Sequence, residues 1–167
     1  NVMQVEEGLK KVMEKTDLEI VSKDYAEGWV AEHAFSAVNR TLKEFPYIHS
    51  LVCGNDDLAS QAIKALSEHR LAGSVCVVGQ DADLNACQRI VEGTQTMTVY
   101  KSIEKLAKRS AEYAVMLGKD EEISVADRFF DGAFYVPYEK LEPIAVTREN
   151  IDEVIIGGGF HLKEEVY

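Results

Sequence analysis

The sequence has little cysteine: Cys53, Cys76 and Cys87 are the three among 167 residues. None forms a C-x-x-C pair, which removes the usual zinc and dithiol-redox arrangements. Their apolar, strand-like or helix-like surroundings make buried free thiols the expected state. Long apolar runs are missing as well, since nothing approaches the ~20 residues that span a bilayer as a helix. Basic residues are in deficit, with 18 Lys and Arg against 29 Asp and Glu and a net charge of -11. So acidic a chain has no electrostatic reason to hold nucleic acid or an anionic membrane surface.

Catalytic and metal-binding signatures are also absent. There is no G-x-S-x-G elbow and no H-E-x-x-H. His33, His49, His69 and His161 sit in unrelated contexts, so surface or structural roles are expected of them. Asp56, Asp57, Asp81 and Asp83 match no calcium-loop spacing. Gly157-Gly158-Gly159 is followed by no G-K-[ST], so a turn is expected there rather than a phosphate loop. No catalytic residue, metal or cofactor is expected.

What is present is an ordinary globular composition, 46% hydrophobic and 28% charged, in a length that supports one domain with a core. Val2 to Lys15 has the apolar spacing of a helix. Leu18 to Val21 reads as a short strand. A loop carrying Trp29 leads to a helix over Val30–Phe45, ended by Pro46. Ile48 to Cys53 is a strand, and Gly54-Asn55-Asp56-Asp57 opens a helix over Leu58–Arg70, with Asp56 or Asp57 able to cap it. Val75 to Val78 reads as a buried strand ending at Gly79, followed at once by Gln80-Asp81-Ala82-Asp83. A short helical pattern leads to another strand, Thr96 to Tyr100, and Lys101. The helix Ser102 to Leu117 closes at Gly118. Short strand-like pieces follow at Phe129-Phe130, Ala133 to Val136 and Ile144 to Val146, and Val154-Ile155-Ile156 is an apolar strand pattern. Four strands alternating with helices before residue 101 predict an α/β fold with a parallel sheet.

In open sheets of that kind, ligands bind outside the carboxyl ends of the strands. The loops there carry Trp29, Asn55, Asp81 and Lys101. They offer an aromatic face, an amide, a carboxylate and an ammonium. Sugar hydroxyls both donate and accept, so planar amide and carboxylate groups can grip them in pairs, while the C–H face packs on a ring. Each residue taken alone has a plainer role, as helix cap, solvated charge or core. Their shared place after successive strands favours a ligand site.

The motifs Asp24-Tyr25-Ala26-Glu27-Gly28-Trp29, Gly54-Asn55-Asp56, Gly79-Gln80-Asp81-Ala82-Asp83 and Gly93-Thr94-Gln95-Thr96-Met97-Thr98-Val99-Tyr100-Lys101 resemble those of the periplasmic sugar-binding proteins of ABC transporters, of the ribose-binding type. The tail continues the likeness through Val136-Pro137, Leu141-Glu142-Pro143-Ile144 and Gly159-Phe160-His161. The resemblance implies two lobes joined by a hinge, with a monosaccharide, here an aldopentose such as D-xylose, held in the cleft. It implies sugar contacts from Trp29 as stacking ring and from Asn1, Asn55, Asp81 and Lys101. Residues 1–100 and 133–167 are expected to form the carboxyl-terminal lobe. Residues 101–132 are expected to cross the hinge and pack a helix on an amino-terminal lobe that is not in this chain, so the chain is expected to start in mid-protein. The implied partners are that lobe and a membrane ABC permease, in a periplasmic or extracellular setting with a lipoprotein anchor as one form. A sensor kinase in place of the permease and a sugar-responsive repressor of the LacI type are the alternatives, and an enzyme is not expected.

Overall fold

The computed structural model describes residues 2–167 and divides into two compact units, Asn1–Tyr100 with Ala145–Tyr167, and Lys101–Ile144. The first contains α1 (Val2–Met13), α2 (Glu32–Glu44), β1 (Ser50–Val52), α3 (Asp56–Glu68), β2 (Cys76–Gln80), α4 (Leu84–Glu92) and β3 (Met97–Tyr100). The second contains α5 (Ile103–Gly118), β4 (Asp127–Phe130) and β5 (Tyr135–Tyr138). β6 (Ile144–Val146) returns the chain to the first unit, which ends with a π-helical turn at Asp152–Ile156 and α6 (Lys163–Val166).

The main sheet has the order β1-β2-β3-β6. β1 and β2 run parallel, with Leu51 opposite Val77, and β2 and β3 run parallel, with Gly79 opposite Thr98. Consecutive parallel strands joined by helices are the β-α-β arrangement the alternating pattern predicts. α3 places Ala59, Ala62, Ile63, Ala65 and Leu66 in the core with Val38 and Leu42 of α2 and with Val75 and Val77. The alanines keep one side of α3 thin, so α2 packs closely on it. Ile90 of α4 and Ile151, Ile155 and Val146 near the end of the chain are also fully buried.

Three expectations are corrected. Leu18 to Val21 is irregular and exposed, so three strands, not four, precede residue 101. A strand needs a ladder partner as well as suitable side chains, and this stretch pairs with none of the described strands. Val154-Ile155-Ile156 lies in the π-helical turn, where the Gly157 amide donates to the Asp152 carbonyl at 2.8 Å. The buried pair Ile151 and Ile155 stands four apart, a helical spacing that outweighs the local apolar run. Cys76 is exposed at the first position of β2, whereas burial pushes the Cys53 and Cys87 thiols up to about 12.

In the second unit β4 and β5 form an antiparallel hairpin, with Phe129 opposite Val136. The Asp131 carboxylate accepts from the Ala133 and Phe134 amides at 2.8 Å each, which closes the turn and lowers its pKa. Phe130 and Tyr135 pair across the hairpin with ring centres 5.1 Å apart. Ser102 caps α5 by accepting from the Lys105 amide at 3.2 Å. No residue of α5 is buried.

Candidate functional site

The carboxyl ends of the parallel strands carry the candidate site. After β1, Asn55 takes an extended conformation and caps α3, its Oδ1 accepting from the Leu58 amide at 2.9 Å. The cap is thus Asn55 rather than Asp56 or Asp57. Capping takes one lone pair of the amide oxygen, and the Nδ2 group is the donor this side chain offers a ligand.

Trp29 closes a short 3-10 turn, Glu27–Trp29, in which Gly28 and Trp29 both have positive φ, 64° and 59°. A bulky residue in that region is costly, of the order of 1–3 kcal/mol, and such strain collects at functional loops. The turn sets the Trp29 ring directly over Gly54. A Cβ on Gly54 would lie 2.9 Å from Trp29 Cζ3, so only glycine lets the indole come this close to the loop that bears Asn55. The ring remains half exposed.

After β2 comes a second strained turn. Asp81 and Ala82 have φ of 98° and 55°. The Asp81 amide donates to Val99 of β3 at 2.9 Å, which prolongs the sheet ladder by one residue. Gln80 Nε2 donates to the Gly54 carbonyl at 3.0 Å and ties this turn to the loop after β1. Trp29, Asn55 and Asp81 are therefore brought to one edge. Lys101 is exposed, directly follows β3 and opens the second compact unit. Asn1 lies outside the described residues.

Behind this edge is a buried polar cluster that motif reading did not single out. Asp56 is 1% exposed. Its Oδ2 accepts from Thr98 Oγ1 at 2.8 Å and from the Asp83 amide at 3.0 Å, and its Oδ1 from Gln95 Nε2 at 2.8 Å. Burial holds the Asp56 carboxyl above its ordinary pKa of 3.8, although these hydrogen bonds pull it down. Asp83 is raised too, by burial first and then by the charges of Asp56, Asp57 and Asp81. Arg89 is the cation of the cluster, donating to Gln95 Oε1 at 3.0 Å and to the Asp56 carbonyl at 3.3 Å. The one local signal in the sequence was polar Thr98 within the apolar pattern of β3, and it does not name Asp56 as its partner. His161 also serves the turn, its Nε2 lying 2.8 Å from the Ala82 carbonyl.

The trio stands together at the carboxyl edge of the sheet. Of the concave features, a groove of ≈ 370 Å³ lies among Lys10, Met13, Glu14, Leu18, Glu19 and Ile20. Another of ≈ 200 Å³ lies within the second unit, among Leu106, Arg109, Tyr113, Tyr138 and their neighbours. Neither is lined by Trp29, Asn55 or Asp81. Among the described residues, no group of three His, Cys, Asp or Glu side chains converges as a metal site.

Comparison with known proteins adds three findings. Residues 1–122 match the model of a periplasmic binding protein domain. The chain is 44% identical over 151 residues to the D-xylose-binding periplasmic protein of Haemophilus influenzae, covering 90% of this chain and 46% of that protein. It is 39% identical over 159 residues to the D-xylose-binding periplasmic protein of Escherichia coli, covering 95% and 48%. The chain thus spans about half the length of the curated relatives it matches. Among solved structures, it is similar to an ABC transporter periplasmic solute-binding protein of Actinobacillus succinogenes with bound D-allose, at a TM-score of 0.71 and 25% identity over 85% of this chain and 46% of the other.

Proposed function

The chain belongs to the periplasmic binding protein family, and from that premise we propose that it is one lobe of a periplasmic solute-binding protein that takes a monosaccharide, D-xylose, for delivery to a membrane ABC permease. The observation that carries this reading is the edge where Trp29, Asn55 and Asp81 come together at the carboxyl ends of parallel strands. Similarity to two D-xylose-binding periplasmic proteins supports the choice of sugar.

In this reading the Trp29 ring packs on the sugar's C–H face. Asn55 Nδ2 donates to a hydroxyl whose own proton goes to the Asp81 carboxylate, which accepts from two hydroxyls at once. Lys101 and Asn1 add polar contacts. An edge of this kind buries one side of a sugar. A second lobe closing over the other side supplies the remaining burial and excludes water. The segment that begins at Lys101 crosses toward that lobe, and the exposed apolar side chains of α5, Ile103, Leu106 and Val115, pack on it. The closed form is what the permease reads, and the sugar leaves chemically unchanged.

Calorimetry on the complete two-lobed protein tests this. D-xylose is expected to give a saturable heat that Asp81→Ala abolishes. Absence of heat with every pentose and hexose tried would sink the sugar reading, and turnover of the sugar would sink the non-enzymatic part.

A further inference from the structure

We propose that Asp56 and Thr98 act as a positioning pair, holding the Asp81–Asp83 turn with Asp81 and Ala82 at positive φ and thereby setting the affinity of the site; this rests on the sugar-binding reading above. Neither side chain can reach a ligand. Asp56 is 1% exposed and Thr98 fully buried.

Their hydrogen bonds run to the backbone of the turn. Thr98 Oγ1 donates its proton to Asp56 Oδ2 at 2.8 Å and accepts from the Ala82 amide at 3.1 Å. Asp56 Oδ2 also accepts from the Asp83 amide at 3.0 Å. So the N–H groups of Ala82 and Asp83 are both bound by this pair. Asp81 and Ala82 occupy a region that non-glycine residues enter only when the surroundings compel them. A turn released from Ala82 and Asp83 would relax toward extended backbone, and the Cα–Cβ direction of Asp81 would swing with it.

Two features show that room has been made for the carboxylate. Gly79 of β2 faces it, and a Cβ there would overlap Asp56 Oδ1 and come within 3.0 Å of Gln95 Nε2. Gln95 is itself fixed, its Oε1 bound by Arg89 at 3.0 Å. The carboxylate is thus oriented by Gln95 and Thr98 toward the Asp83 amide of the turn. A contact residue whose direction is fixed before the ligand arrives binds more tightly, because less ordering is left to be done.

The test compares Thr98→Val, which keeps the shape and removes the hydroxyl, with Thr98→Ser, which keeps the hydroxyl and removes a methyl. In the complete protein, T98V is expected to weaken D-xylose binding by about tenfold and T98S by less than about threefold, although both lower the melting temperature. Amide exchange without sugar is read alongside. Ala82 and Asp83 are expected to exchange about tenfold faster in T98V than in T98S. Equal loss of affinity in the two variants, tracking their melting temperatures, would reduce the pair to a structural role and overturn the proposal. Unchanged exchange at Ala82 and Asp83 in T98V overturns it as well. If the wild type gives no D-xylose heat, the sugar reading fails by itself, and the exchange result still decides whether the pair holds the turn.

Discussion

α3 and α5 are both amphipathic helices with a proper amino-terminal cap, and they differ in almost everything that follows. Asn55 caps the first and Ser102 the second. α3 buries seven of its thirteen residues, and α5 buries none of its sixteen. Local signals are therefore enough to start and stop a helix, and they carry no information about whether a core awaits it. Most helical stability comes from packing an apolar face rather than from propensity, so the two regions should respond very differently to the same substitution.

The largest contrast should come from leucine truncation. Leu66→Ala, at a fully buried position of α3, is expected to cost about 3 kcal/mol in denaturant unfolding, through lost transfer energy and the cavity left behind. A cost below about 1 kcal/mol would mean the core is looser than its packing implies.

Next comes the buried carboxylate. Asp56→Asn is expected to cost about 2 kcal/mol near neutral pH, since the amide presents a donor where one is already aimed at it. The pH dependence sharpens this. Burial raises the Asp56 pKa above its ordinary 3.8. A carboxyl that holds its proton more tightly when folded stabilises the fold fully below 3.8 and loses that contribution as pH climbs through the raised folded value. The stability difference between wild type and D56N should therefore change across that window, with the wild type losing ground as pH rises. A constant difference would break the assignment.

The caps give a smaller effect of informative kind. Asn55→Ala and Ser102→Ala each remove a cap worth about 1 kcal/mol. The first should lower the global unfolding free energy, because α3 cannot fray without opening the core. The second should lower only the helical signal and the exchange protection of α5.

Smallest is Leu106→Ala on the exposed face of α5, expected to stay within about 0.5 kcal/mol in the 167-residue chain. In the complete protein the same change is expected to cost about 2 kcal/mol, because we propose a second lobe covers this face. Equal small costs in both would remove the reason for that lobe contact.

Much of this was legible in the residues. The helical spacing of Val2, Val5, Leu9 and Val12, the breaks at Pro46 and Gly79, and the apolar run after Gly73 mark elements that the structure contains within a few residues. What escaped detection depended on partners remote in sequence. Leu18 to Val21 has the composition of a strand, yet composition cannot supply the neighbour it would pair with. Ile155 belongs to a buried helical turn because it packs with Ile151, a relation the run Val154-Ile155-Ile156 hides. Asn55 and Asp81 could be placed at one edge because each follows a strand of the parallel sheet, whereas Trp29 follows no strand and reaches that edge through its close approach to Gly54. The support behind them could not, since Asp56 and Thr98 stand 42 positions apart and nothing local to either announces the other.

β1 is the end strand of the main sheet, three residues long, with Val52 about half exposed. An open strand edge invites another chain to add itself by backbone pairing. For a purified sample, concentration rather than heat is then the condition to watch. The apparent mass from light scattering should rise with protein concentration at temperatures well below melting, and the brevity of β1 is what keeps that tendency in check.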